Sequence, residues 1–326
     1  MINEKVDIKE NTILDISEEL LSILLKDHSS NKNLIWATDN YLKNGKGYCF
    51  DDEIKIHQIT GYNGFVIKPR TRKSKKEQEK RIKQKAEVFT PSWVCNCQNN
   101  IIDEAWFGYK NPFNKEKEMS WVSKKSKIRF KDRTWQDYVN DLRIELSCGE
   151  APYLVSRYDT VTGHIIEVNN RIGLLDRKLR VINENVDNSE EWLEWVIKAY
   201  KSIYGFEWQG DSVLLARENL LYTFADNYLY KFSILPDEDK LKQIAEIISW
   251  NIFQMDGIKF VIPNSCKNDE VKQLTIFDNK EKEVGCYGCK KNNHHKHNGI
   301  YCKIMNWETN KKIKFITIMK GSRNNE

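Results

Sequence analysis

The stretch Arg143-Ile-Glu-Leu-Ser-Cys-Gly-Glu-Ala-Pro-Tyr-Leu154 decides the fold. Its first four residues read as a short strand, Glu145 stands toward that strand's carboxyl end, and Gly149 sits in a turn of small residues. A parallel strand that delivers an acid to the sheet edge and then turns on small residues lets the backbone approach a ligand. Such a turn also occurs as an ordinary loop, so its meaning depends on what flanks it.

Upstream, Glu87-Val-Phe-Thr-Pro-Ser-Trp-Val94 puts Thr90 at a helix N-cap and Pro91 in the first turn, where free backbone N–H groups can receive a carboxylate. Downstream, Ile203-Tyr-Gly-Phe-Glu207 reads as a second strand ending in an acid, followed by a tight turn and a helix. An acid in that place can accept from both ribose hydroxyls of a nucleoside. Further on, Trp250-Asn-Ile-Phe-Gln-Met-Asp-Gly257 is a third short strand, and it delivers Asp256. Helices are expected near Pro91–Ala105, Glu190–Tyr204, Ser212–Tyr230 and Asp237–Ile248. Strands are expected at Arg143–Leu146, Ser202–Glu207, Asn251–Met255 and Lys312–Met319. Helices alternating with short apolar strands are the α/β signature.

These four segments, in this order, resemble the adenine-N6 DNA methyltransferases whose S-adenosylmethionine motifs precede the catalytic motif. That family has a Phe-Thr-Pro segment, an acidic-Pro-x-Cys-Gly-x-Gly-x-Phe-Leu turn, an acid for the ribose and an Asp for the adenine. The chain offers Phe89-Thr90-Pro91, then Glu145 through Leu154, then Glu207, then Asp256. The resemblance spans roughly residues 86 to 260, with a narrower likeness to bacterial M subunits of restriction-modification systems. It implies a Rossmann-like core that binds S-adenosylmethionine through Phe89, Thr90, Pro91, Glu145, Ser147, Cys148, Gly149, Glu207, Trp208 and Asp256. The implied nucleic-acid partner is double-stranded DNA.

Four departures qualify the likeness. Leu146 stands where the family has Pro, and Ala151 where it has a second Gly. The distance from Leu154 to Gly205 implies an insertion between the first two strands. The family's Asn-Pro-Pro-Tyr turn, which grips a flipped adenine, is absent: Pro69, Pro91, Pro112, Pro152, Pro236 and Pro263 are all isolated. Lys303-Ile-Met-Asn-Trp307 is the nearest substitute and makes Asn306 and Trp307 the candidate catalytic residues. Only Lys312–Met319 reads as a strand after Asp256, so the sheet is expected to be partial, with an apolar edge of the kind proteins normally cover. The expectation is a split enzyme, in which a second subunit supplies the Pro-Pro turn, the missing strands and target recognition. The rivals are an inactive methyltransferase-like scaffold and a zinc-containing DNA-binding protein.

Cys286-Tyr-Gly-Cys289, followed by His294, His295, His297 and Cys302, has the spacing of a zinc knuckle. The expected ligands are Cys286, Cys289, His297 and Cys302, with His295 or His294 as alternates, in a structural site. The plain alternative is a reduced loop with a chance histidine cluster.

Residues Asn11 to Asp27 carry apolar residues at amphipathic-helix spacing. Glu53-Ile-Lys-Ile-His-Gln-Ile59 and Gly64-Phe-Val-Ile67 read as strands of a small N-terminal element. Lys68 to Lys85 holds ten Lys or Arg among eighteen residues and reads as a solvated helix or linker, with phosphate contact as the alternative. The resulting organisation is an N-terminal α+β element (1–67), a basic linker or helix (68–85), the methyltransferase-like domain (86–260) and a Cys/His knuckle with a terminal strand (261–326).

Of the 326 residues 40% are hydrophobic and 30% charged, with a formal net charge of +5. No run approaches the roughly 18 apolar residues of a membrane helix, and the polar, acidic N-terminus lacks the layout of an export signal. The expected location is the cytoplasm, where the eight cysteines are thiols or metal ligands rather than disulfides. Trp192 and Trp195 read as core aromatics, and Cys148 as a packing residue. Cys95 and Cys97 fall on different helix faces, so they are not expected to share a metal. Asp52-Glu-Ile-Lys55 is similar in pattern to nuclease metal sites but lacks a partner acid.

Overall fold

In the computed structural model residues 10–85, 90–267, 269–271 and 282–318 are described. Three parallel strands, Arg143–Leu146, Ile203–Glu207 and Ile252–Gln254, form the central sheet in that spatial order. Glu145 lies opposite Gly205 and Leu146 opposite Phe206, and Glu207 pairs with Gln254 across the other side. Parallel neighbours need crossovers, and each here contains a helix pair: Leu174–Asn185 with Ser189–Lys201, then Gly210–Phe232 with Glu238–Asn251. The other sheets are two-stranded and antiparallel.

Local chemistry explains where these helices start. The Asn188 side chain accepts from the amides of Glu190 and Glu191, both at 3.0 Å, and Asp237 accepts from Lys240 at 2.9 Å. Glu190 and Glu191 in the first turn and Lys198 and Lys201 in the last complement the helix dipole. Gly210, which opens the long helix, has a steric reason: a Cβ there would lie 2.0 Å from the Ile35 carbonyl oxygen.

The N-terminal segment packs onto this layer. Leu20, Leu21, Leu24, Leu25 and Trp36 share one apolar cluster with Ile203, Leu215, Ile244 and Ile248. Arg217, fully buried, donates to the carbonyls of Leu24 (2.6 Å), Lys26 (2.8 Å), Ser249 (2.8 Å) and Ile252 (2.8 Å), joining three elements through one guanidinium. Burial lowers its pKa to about 10. His28 stacks on Trp250 with centroids 3.6 Å apart, and its Nε2 lies 2.8 Å from the Ser249 hydroxyl.

Several N-terminal expectations are corrected. The Asn11–Asp27 helix is two helices, Glu10–Ile16 and Glu18–Leu25, because Ser17 is extended at φ −167° and the acids Glu18 and Glu19 favour a new helix start. Residues 53–59 are not a strand. The Gln58 side chain accepts from the Lys55 amide at 2.9 Å and donates to Gly47 O at 2.8 Å, closing the helical turn Ile56–Ile59. Residues 64–67 form turns and bends. The basic run contains the helix Lys75–Lys85, but it is not simply solvated. Lys73 and Arg81 are buried, with Arg81 Nη2 2.9 Å and Lys73 Nζ 3.9 Å from Asp211 Oδ2. Burial alone would raise the Asp211 pKa, yet the two cations and the Tyr41 hydroxyl hold it at about 2.

Beyond the third strand, Lys303–Asn306 and Lys311–Lys314 pair as an antiparallel hairpin. The expected strand Lys312–Met319 is therefore shorter than anticipated and belongs to this hairpin, with Phe315–Thr317 turning into a 3-10 helix. Met319 lies outside the described residues. Ile304 and Phe315 cover Phe206, Phe253 and Met255 in a second apolar cluster. The first parallel strand remains at an edge, and Leu142, Ile144 and Leu146 are 71%, 43% and 65% exposed.

Candidate functional site

The three parallel strands end on the same side, and each contributes an acid there. Glu145 is buried, and its two oxygens accept from the amides of Tyr153 (3.4 Å) and Leu154 (3.2 Å) at the far end of its own turn. Glu207 Oε2 accepts from the Gly149 amide at 3.1 Å, fastening the second strand to the turn after the first, while Oε1 accepts from Gln209 at 3.3 Å. Asp256 Oδ1 accepts from Ile258 (2.9 Å) and Lys259 (3.0 Å), and Oδ2 lies 3.6 Å from the Lys259 ammonium. Burial raises the pKa of Glu145 well above the ordinary carboxylate value, its two amide donors oppose that, and the nearby Glu207 charge adds to it. Burial raises Glu207 as well, against the amides of Gly149, Gln209 and Trp208.

The turn has an unusual backbone. Ser147, Gly149 and Ala151 lie at φ +51°, +53° and +62°, a region that only Gly enters without cost. Ala151 meets the left-handed requirement at a strain of about 1 kcal/mol. Ser147 is exposed. Cys148 is buried beside Gly205, where a Cβ would lie 3.3 Å from the Cys148 sulfur. Burial, followed by the charges of Glu145 and Glu207, pushes this thiol up, in keeping with a packing role. Trp208 is partly exposed and donates from Nε1 to Ala37 O at 3.1 Å.

The structure alters two expected contacts. Pro91, not Thr90, is the N-cap of the helix Ser92–Phe107, and the Ser92 amide already donates to Asp159 Oδ2 at 2.7 Å. A protein carboxylate thus takes the place assigned to a ligand's, and the Thr90 carbonyl accepts from the Thr160 hydroxyl at 3.0 Å. Phe89 lies outside the described residues. Asn306 and Trp307 belong to the opposite end of the sheet. Trp307 Nε1 donates at 2.8 Å to Asn251, the residue before the third strand, and Asn306 accepts from the amides of Glu308 and Thr309 to shape the hairpin turn. They fasten structure at the amino end of the strands, away from the three acids. Asp52 and Glu53 likewise bind backbone, at Cys49 N (2.8 Å) and Asn33 N (3.1 Å).

A second constellation lies beside the Asp256 turn. Cys266, Cys286, Cys289 and His297 place their ligand atoms within 4.8 Å of one another, the one such Cys/His/carboxylate group of three or more among the described residues. His297 Nδ1 is 3.6, 3.7 and 3.5 Å from the sulfurs of Cys266, Cys286 and Cys289. A tetrahedral ion with metal–sulfur bonds of about 2.3 Å and metal–nitrogen bonds of about 2.0 Å sets such edges at roughly 3.5 Å, so the group could hold a metal ion. Burial opposes ionisation of Cys286, but the Asn298 and Cys289 amides with His297 hold its thiol at about 6. Gly288 is required here: a Cβ would meet the His297 amide nitrogen at 2.6 Å and Nδ1 at 2.8 Å.

Cys302 is not in this group. Its amide donates to Phe260 O at 3.0 Å, which turns its thiol inward to Gln254 O at 3.3 Å. Cys266 takes the fourth corner instead, brought alongside by the Val261–Tyr301 bridge and the bond from Ile262 N to Ile300 O. Its signal in the sequence was its place in the same Asn- and Lys-rich stretch, twenty residues before Cys286. Of the alternates, His294 packs edge-on against Phe260, and His295 is exposed.

No family model, curated protein or solved structure matches this chain. Among the described residues no helix is long and apolar enough to cross a membrane.

Proposed function

We propose that this chain is the S-adenosylmethionine-binding subunit of an adenine-N6 DNA methyltransferase in a restriction-modification system, built on a Rossmann-like methyltransferase core and completed by a partner subunit that carries the catalytic Pro-Pro turn. The observation that carries the reading is the convergence of Glu145, the Ser147–Leu154 turn, Glu207 and Asp256 at one end of three parallel strands, in chain order. Ligands of open α/β sheets bind outside the carboxyl ends of strands.

In this reading Glu207 accepts from the ribose hydroxyls and Asp256 from the adenine amino group, with the Trp208 ring beside them. Glu145 holds the turn that faces the methionine end. The Gly149 backbone, with no side chain and already oriented by Glu207, allows the close approach such a ligand needs. The cofactor supplies an activated methyl group, and the chain's residues bind, orient and exclude water. Ser92, whose amide is committed to Asp159, adds shape rather than a charge contact.

The bare first strand, with Ile144 and Leu146 exposed at the sheet edge, supports completion by a partner. Zinc suits the Cys266, Cys286, Cys289 and His297 donor set, and four protein ligands make the site structural.

Isothermal titration of the purified chain with S-adenosylmethionine tests the reading. Binding is expected for the wild type and is expected to be lost in Glu207→Ala with the circular dichroism spectrum unchanged. A folded wild-type chain that does not bind would overturn it.

A further inference from the structure

Residues 124–133, Lys-Lys-Ser-Lys-Ile-Arg-Phe-Lys-Asp-Arg, carry six cations against the single acid Asp132, so these ten residues hold the equivalent of the whole chain's formal net charge of +5. All six cations are exposed, whereas Ile128 is buried and Phe130 packs on the core. Cation out and apolar residue in, at alternate positions, is the period of an extended chain. The alternation runs from Lys127 to Lys131, where it sets the outward groups of Lys127 and Arg129 about 6.6 Å apart along the backbone, and the chain bends at Ser126 and again at Lys131–Arg133.

The backbone beneath is pinned at several points. Ile128 N donates to Glu184 (2.8 Å), the Tyr109 hydroxyl donates to Arg129 O (2.7 Å), and Arg180 donates to the carbonyls of Lys124 (2.7 Å) and Ser126 (3.3 Å). Three nearby acids are already engaged, Glu184 by Arg180 at 2.8 Å, Asp187 by Lys231 at 2.7 Å and Asp137 by the amide and hydroxyl of Thr134 at 2.8 Å. Among the described residues, none of the six cations forms an ion pair with a carboxylate. The other basic run, by contrast, turns Lys73 and Arg81 inward to Asp211.

We infer that the 124–133 ladder is a binding surface for the phosphate backbone of duplex DNA. The inference rests on the methyltransferase reading only for DNA as the nucleic acid. Two features favour a duplex backbone over other polyanions. The aromatic rings in the patch are covered by cations and so are not free to stack on unpaired bases. Lys124 and Lys131 lie 5.7 and 5.1 Å from the Tyr109 ring centroid, and Arg133 lies 4.9 Å from that of Trp106. The apolar side chains of the segment point inward, which leaves nothing to insert into a lipid surface. A groove of about 480 Å³ between Tyr109, Lys124, Lys127 and Lys131 gives a phosphate room to enter. Such contacts position a duplex without reading its sequence.

The test is fluorescence anisotropy with a random-sequence duplex of about 20 base pairs, titrated between about 0.05 and 0.2 M salt. The variant combining Lys125→Gln, Lys127→Gln, Arg129→Gln and Lys131→Gln is expected to bind roughly tenfold more weakly or worse, with a salt slope shallower by about 3 to 4. A control with Lys75→Gln, Lys76→Gln, Lys80→Gln and Lys83→Gln is expected to bind like the wild type. Unchanged duplex binding by the ladder variant, or no binding by the wild type, overturns the inference. S-adenosylmethionine titration of the same preparations separates the two claims. Cofactor binding without a ladder effect sinks the ladder alone, and a ladder effect without cofactor binding sinks the methyltransferase reading alone.

Discussion

Replacing Arg217 with Met should cost about 3–5 kcal/mol of folding stability. The guanidinium makes four hydrogen bonds to buried carbonyls, at Leu24, Lys26, Ser249 and Ile252. At roughly 1.5–3 kcal/mol for each bond to a charged group, their gross contribution is about 6–12 kcal/mol. Burying a guanidinium offsets several kcal/mol of that. Methionine fills the volume but leaves the carbonyls of two helix ends and the third strand without donors, so the loss follows the unsatisfied acceptors rather than a cavity. For a chain this large the loss corresponds to a fall in Tm of roughly 4–7 °C. Urea unfolding followed by tryptophan fluorescence reads it directly. Arg217→Lys should recover only part of the loss, because one ammonium cannot span four acceptors. A loss under about 1 kcal/mol for Arg217→Met would refute the view that this residue joins the N-terminal helix to the sheet layer.

Two further predictions concern protons and metal. His28 has its pKa lowered to about 3 by burial and then by the Arg217 charge. A depressed folded-state pKa means the stability it supports is present above its ordinary value of about 6.5 and is lost as pH falls toward 3. The wild type should therefore lose about 3–5 kcal/mol across that window beyond what His28→Gln loses, and parallel urea midpoints for the two proteins would refute this. At the metal group, Cys266→Ser should strip bound zinc while Cys302→Ser retains it, read by elemental analysis of purified protein. The reverse result would restore the ligand set read from the sequence.

The elements legible in the sequence are those whose signals are local. The three strands and the helices around them announce themselves by apolar spacing, whereas the caps Asn188 and Asp237 emerge from the structure. The convergence of Glu145, Glu207 and Asp256 was legible too, because acids at the ends of successive parallel strands must share one edge of the sheet. What escaped depends on distant partners. Spacing favours Cys302 as the fourth ligand, and the strand bridges at Val261 and Ile262 overrule it by bringing Cys266 alongside His297 while the Cys302 thiol turns inward. Asn306 and Trp307 have the residue types of a catalytic turn but lie at the end of the strands opposite the three acids. Gln58 converted an alternating pattern into a helical turn through two side-chain hydrogen bonds. Asp159 reached across 67 residues to a helix start that had looked vacant.

The contact between His28 and Ser249 spans 221 residues of sequence. During synthesis at about 5–20 residues per second, the helix Glu18–Leu25 and His28 precede their partners by roughly 10–40 s. In that interval Leu20, Leu21, Leu24 and Leu25 have no Ile244 or Ile248 to cover them. The order of translation thus leaves the Glu18–Leu25 helix unsecured until Glu238–Asn251 emerges, and the waiting leucine face a target for chaperones while that stretch is made.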